Sequence, residues 1–124
     1  NEKKLFDFLL EKKDSFIVDF FSNYSGEIKN PSSFLLNATN QFNVLHRMVT
    51  TEDISFSFLK KVWPPILGKN KDKFIKNMKI WKKSSIEEAL FILRETELKI
   101  RKNSKLSTKR IISFAFLNIC LLNN

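Results

Sequence analysis

Leu35, Ala38, Phe42, Leu45 and Val49 recur at steps of 3, 4, 3 and 4. That spacing lines up along one side of a 3.6-residue helix and would scatter over both faces of a strand. Three-and-four spacing returns along most of the chain, and two-residue alternation is hard to find. Only two Gly and three Pro interrupt 124 residues. Such a chain is committed to helices with few breaks, stacked so that each buries its apolar stripe.

The pattern divides as follows. A first helix reads from about Lys3 to Lys12, with Leu5, Phe6, Leu9 and Leu10 on its apolar side. Asp14 or Ser15 caps a second, which turns Phe16, Ile17, Phe20, Phe21 and Tyr24 inward and ends at Ser25-Gly26. The join is so short that the two must form a hairpin. Asn30-Pro31 opens the third helix: an N-cap, then proline at the first helical position, where its missing N–H costs nothing. Thr50-Thr51-Glu52-Asp53 closes it and starts a shorter helix carrying Ile54, Phe58, Leu59 and Val62.

Pro64-Pro65 breaks the chain, since neither residue continues a helix and each restricts the one before it. Trp63 to Gly68 is then a rigid connector, and Trp63–Asn70 is the best candidate for a hinge. A fifth helix over about Lys71 to Trp81 carries Phe74, Met78 and Trp81 as one stripe. Ser84-Ser85-Ile86-Glu87 has the form of a capping box, and its helix runs to about Lys102 with Ile86, Ala89, Leu90, Leu93 and Ile100 inward. The last helix opens at Ser107, with Leu106 and Ile111 spaced as a hydrophobic staple. Being apolar on most sides from Ile111 to Leu122, it is expected to be central and buried. The expectation is an all-α, irregular bundle of six to seven helices, forming one domain over residues 1–124.

Thirteen Phe within a 43% hydrophobic composition supply a core for a domain of this size. The longest apolar run, Phe114 to Leu122, is nine residues and contains Asn118, against the roughly 20 a membrane span needs. No secretory leader pattern is visible at the start of the sequence. The single cysteine, Cys120, has no internal disulfide partner and reads as a small core hydrophobe, which fits a cytoplasmic protein.

The net charge of +9 is local. Residues 1–59 carry −2, residues 60–83 carry +8 from nine Lys against Asp72, and residues 84–110 carry +3. A stretch like Lys60–Lys83 can meet phosphate, and Lys69, Lys71, Lys73 and Lys76 are the candidate contacts. Trp63, Phe74 and Trp81 lie among these lysines, as stacking residues do in single-strand binders, but Phe74 and Trp81 share helical spacing with Met78 and fit a core better. Abundant Lys, Asn, Ile and Phe with scarce Ala and Gly also match what an AT-rich genome produces, so the basic stretch has a compositional reading beside the functional one.

No catalytic set is found. His46 is the only histidine and has no nearby Cys; Gly26 and Gly68 stand alone, so no phosphate-cradling loop exists. Neither a cofactor nor a metal site is expected. Glu97 falls where the sixth helix's stripe calls for a hydrophobe, and Arg101 follows four residues later, the spacing of an ion pair. The expected role of that pair is structural.

Three motifs in order carry a resemblance: Trp63-Pro64-Pro65-Ile66-Leu67-Gly68-Lys69-Asn70-Lys71; Trp81 ahead of Ser84-Ser85-Ile86-Glu87-Glu88-Ala89-Leu90; and Thr96-Glu97-Leu98-Lys99-Ile100-Arg101. With the preceding hairpin and the long helix containing Gln41-Phe42-Asn43-Val44-Leu45, this series resembles the C-terminal part of δ subunits of the bacterial DNA polymerase III clamp loader, most closely the alphaproteobacterial branch. The likeness covers essentially the whole chain and lies in order and spacing, since each motif alone is weak. It implies a helical collar domain whose parent subunit carries two AAA+-type domains ahead of it. It also implies packing beside the collar domains of the τ/γ and δ′ subunits, in a loader that places the sliding clamp on DNA during replication. Contact with DNA would be non-specific, with no membrane and no small-molecule substrate. No ATPase activity is implied even for the whole δ subunit; the enzymatic name belongs to the parent DNA-directed DNA polymerase, a transferase. Two positions depart from the family pattern. Arg101 stands where a lysine is usual, which keeps the charge. Ser104 stands where some relatives place an aromatic residue against template DNA, which removes that contact.

Overall fold

The structure, a computed structural model, describes residues 2–50, 72, 75–103 and 105–122. These residues form five α-helices and no strand: α1 (Glu2–Leu10), α2 (Asp14–Ser22), α3 (Pro31–Thr50), α4 (Lys83–Lys102) and α5 (Thr108–Cys120). A helical turn at residues 75–78 precedes α4. The helix expected after Asp53, the Pro64-Pro65 connector and Ser104 lie outside the described residues.

α1 ends in a Schellman motif. Lys12 adopts the left-handed conformation at φ 57°. Its N–H donates to the Leu9 carbonyl at 3.2 Å, and the Lys13 N–H reaches back to the Phe8 carbonyl at 2.9 Å. The chain reverses there and α2 packs on α1. α3 begins as its sequence requires: the Asn30 side chain accepts from the Ser33 N–H at 3.3 Å and Pro31 is the first helical residue. Asn30 thus satisfies one of the donors that a helix start leaves unpaired. Ser107 caps α5, its hydroxyl accepting from the Arg110 N–H at 3.2 Å.

α4 packs between α3 and α5, while α5 also touches α1 and α2. Their inward faces make a single core. Phe116 is its centre: its ring lies 5.7 Å from Phe34, 6.0 Å from Phe21 and 6.4 Å from Phe6. Leu5, Leu9, Ile17, Leu35, Leu45, Ile86, Leu93 and Ile112 fill the space around these rings. A second aromatic contact, Phe42 edge-on to Trp81 at 5.1 Å and 80°, seals the end near α3. Among the described residues no buried side-chain N or O lacks a hydrogen-bond partner.

Three local expectations are corrected. Phe16 is 48% exposed instead of inward. Ile17 and Phe21, four residues apart, take the core-facing line of α2, and Phe16 on the helix flank stacks on Phe8 at 4.9 Å. The capping box before α4 does not form. The helix starts at Lys83 after Lys82, which makes no side-chain cap, and Glu87 turns to His46 on α3. A cross-helix partner outcompetes the local bond. Finally, α5 is not buried all round. Ile112, Ala115, Phe116, Ile119 and Cys120 are buried, whereas Phe114 is 58% and Leu121 66% exposed. Its neighbours α1, α2 and α4 leave the opposite side open. The staple partner Leu106 is also exposed.

Candidate interaction surfaces

Of the candidate phosphate contacts, Lys76 lies exposed on the turn at residues 75–78. Lys69, Lys71 and Lys73 lie outside the described residues, as do Trp63 and Phe74. Lys79, Lys82 and Lys83 continue the run, all exposed, and lead into α4. Trp81 sits among them but belongs to the core. Its indole N–H donates to the Leu10 carbonyl at 2.8 Å, and its ring carries the Lys12 ammonium 4.5 Å from the centroid. It is therefore closed to a nucleobase. What the described part of the basic stretch offers is lysine charge without a stacking platform.

The Glu97–Arg101 pair is formed on α4, with Arg101 Nη2 2.6 Å from Glu97 Oε1. Thr96, not Glu97, occupies the core-facing position between Leu93 and Ile100. It is buried, and its hydroxyl donates to the Ile92 carbonyl at 2.6 Å within the same helix. Glu97 stands on the shoulder of the stripe, its side chain 36% exposed. His46 Nε2 lies 3.0 Å from Glu87 Oε2 and ties α3 to α4.

Two further clusters escape sequence reasoning because their members are far apart in the chain. Glu27, in the loop between α2 and α3, lies against the N-terminus of α5. The Ser107 hydroxyl donates to both its oxygens at 2.7 and 2.9 Å, the Thr108 hydroxyl lies 3.1 Å from Oε2, and the Lys109 N–H donates at 3.0 Å. These bonds, the Lys109 N–H foremost and then the Ser107 hydroxyl, hold the Glu27 carboxyl below the usual glutamate range. The same loop is fixed by the Thr108 hydroxyl accepting from the Ile28 N–H at 3.0 Å and by Lys109 Nζ donating to the Tyr24 carbonyl at 2.7 Å. The only sequence signal is the helix-capping Ser-Thr pair at the start of α5, which does not name its anion.

The other cluster is at the opposite end of α5. Lys12 Nζ donates to the Leu122 carbonyl, placing a cation where the helix exposes its negative end. Burial lowers the Lys12 pKa, and nearby Cys120 opposes that shift. Cys120 itself is buried, and burial, aided by Asp14, pushes its thiol up to about 12 against the pull of Lys12. A thiol held protonated this firmly is a poor nucleophile near neutral pH. Among the described residues, no three His, Cys, Asp or Glu gather as metal ligands would, and no helix is long and apolar enough to cross a membrane.

The remaining features are open surfaces. A groove of about 570 Å³ between α1 and α2 is lined by Phe8, Phe16, Phe20 and Tyr24, with Lys4 and Asp19 at its rim. Another of about 510 Å³ runs between α2 and α5, with Val18, Glu27, Arg110, Ser113 and Leu117 among its walls. Exposed aromatic and aliphatic side chains beside helices are what a partner helix covers. No protein-family profile, curated protein or solved structure matches the chain.

Proposed function

We propose that this chain is an oligomerisation domain, the collar domain of a δ subunit of the DNA polymerase III clamp loader. In this reading it is a non-enzymatic, cytoplasmic module that packs beside the collar domains of τ/γ and δ′. The observation that carries the reading is the ordered series from Trp63-Pro64-Pro65 through Trp81 and Ser84–Leu90 to Thr96–Arg101. An all-helical bundle is the architecture such a domain requires, and the open apolar faces of α2 and α5 supply surface for neighbours. The test is to mix the chain with purified collar domains of τ/γ and δ′ and follow co-elution. Formation of a complex at moderate salt is expected. Absence of any complex across several salt concentrations overturns the reading.

A second reading has its own observation, the exposed run Lys76, Lys79, Lys82 and Lys83 at the end of a +8 segment. As a free-standing nucleic-acid-binding domain, the chain would bind single-stranded or duplex DNA with an affinity falling steeply as salt rises. Reversing Lys69, Lys73 and Lys76 together would then abolish binding. Unchanged affinity in that triple variant removes this alternative.

A further inference from the structure

We propose that the outward face of α5 docks an amphipathic helix of a different protein, apolar along one side and bearing a carboxylate near one end; this rests on the oligomerisation reading above. A helix that is apolar on all sides belongs in an interior. α5 comes near to this, with Ser113 and the exposed Asn118 as its polar interruptions after Arg110, yet among the described residues α1, α2 and α4 cover only one side of it. Phe114, Leu117 and Leu121 follow one another at steps of 3 and 4 and form a stripe opposite the buried Ile112, Phe116 and Ile119. The first and last of these are 58% and 66% exposed. That spacing is how one helix face presents anchors to a second helix. Leu117 also walls the groove toward Val18, so an occupant has a shaped edge to lie along.

Charge selects the occupant. Arg110 stands one turn ahead of Phe114, exposed and without a carboxylate partner among the described residues. The other cation of α5, Lys109, is committed to the Tyr24 carbonyl, and α5 contains no carboxylate. Glu27 lines the groove with Arg110 but is already held by the Ser107 and Thr108 hydroxyls and the Lys109 N–H, so a second copy pairing through α5 would set no free anion opposite Arg110. The negative carbonyl end of a second α5 is not free to serve either, because Lys12 already donates to Leu122 there. Two chains of net charge +9 also repel one another. A helix with a carboxylate beside its apolar stripe meets both features at once.

The test measures binding of the full chain to the purified collar domains of τ/γ and δ′, with variants compared at two salt concentrations. Phe114→Asp with Leu121→Asp is expected to weaken the complex at least roughly thirtyfold, as loss of central anchors does. Arg110→Glu is expected to weaken it about tenfold at low salt and less at high salt. Leu36→Asp, at a 57% exposed position of α3 away from α5, is the control and is expected to leave binding unchanged. Circular dichroism and the melting temperature establish that each variant folds. If the double variant folds and binds normally, the docking face is wrong while the oligomerisation reading stands. If the unaltered chain binds neither collar domain, both fall together. If the chain instead forms a dimer that the double variant abolishes, the occupant is a second copy and the proposal is overturned.

Discussion

Lys12 is the residue where local cost and tertiary gain are most openly opposed. A side chain at positive φ costs about 1–2 kcal/mol relative to the right-handed regions, and glycine avoids that cost. Lysine is kept there with its ammonium over Trp81 and donated to the end of α5. Lys12→Ala loses those contacts and keeps the strain, whereas Lys12→Gly loses the contacts and relieves it. Lys12→Gly is therefore expected to be the more stable variant by about 1 kcal/mol in urea unfolding. Equal stabilities would show that the left-handed turn is not held as described. Glu27 makes a prediction in pH. Its folded pKa is depressed, so the unfolded chain binds more protons between the two pKa values. The stabilisation is present above the ordinary glutamate pKa and is lost as pH falls through the lower folded value. Glu27→Gln should flatten the fall in stability across that acidic window while leaving other carboxylates to act. An unchanged acid profile would mean that Glu27 does not hold α5 in solution.

At the scale of elements, Trp81 ties the approach to α4 onto the end of α1. Its N–H partner is the Leu10 carbonyl, and the contact is buried. Trp81→Phe keeps much of the ring packing against Phe42 but strips that carbonyl of its donor. The expected cost is about 1–3 kcal/mol, measured as a lower urea midpoint at constant slope. A variant as stable as the parent would place water or another donor at Leu10. The five described helices were legible in the sequence, because stripes such as Leu5-Phe6-Leu9-Leu10 and Leu35-Ala38-Phe42-Leu45 depend only on a helix's own period. The caps Asn30 and Ser107 were legible for the same reason, Ser107 because its oxygen still accepts from the Arg110 N–H while its hydroxyl donates to Glu27. Choices settled between distant segments were not. Glu87 follows the capping-box pattern but faces His46, 41 residues away in sequence. Phe16 is aromatic like its neighbours, and which of them turns inward depends on where α1 and α5 lie. The Glu97–Arg101 pair followed from spacing, while the use of Thr96 in the core did not, since its hydroxyl is satisfied by its own helix.

Across the whole molecule, one side chain joins most of the bundle, and one thiol can report its opening. Phe116 touches aromatic rings from α1, α2 and α3, so removing it damages several interfaces at once. Phe116→Ala is expected to cost about 3–5 kcal/mol, a large share of the roughly 5–15 kcal/mol that holds a domain of this kind folded. Cys120 lies on the same face one turn further along α5, buried and with its pKa raised to about 12. A thiol reagent therefore reaches a reactive thiolate chiefly when α5 leaves the core. If α5 opens only with the whole bundle, labelling of Cys120 tracks global stability. Phe116→Ala should then speed labelling by roughly a hundredfold or more, since each 1.4 kcal/mol is a factor of ten. Labelling that is already fast in the parent chain, and is unmoved by Phe116→Ala, would show that the end of α5 opens alone. In that event Lys12 at Leu122, and not the aromatic cluster, controls access to the thiol, and Lys12→Ala should accelerate labelling instead.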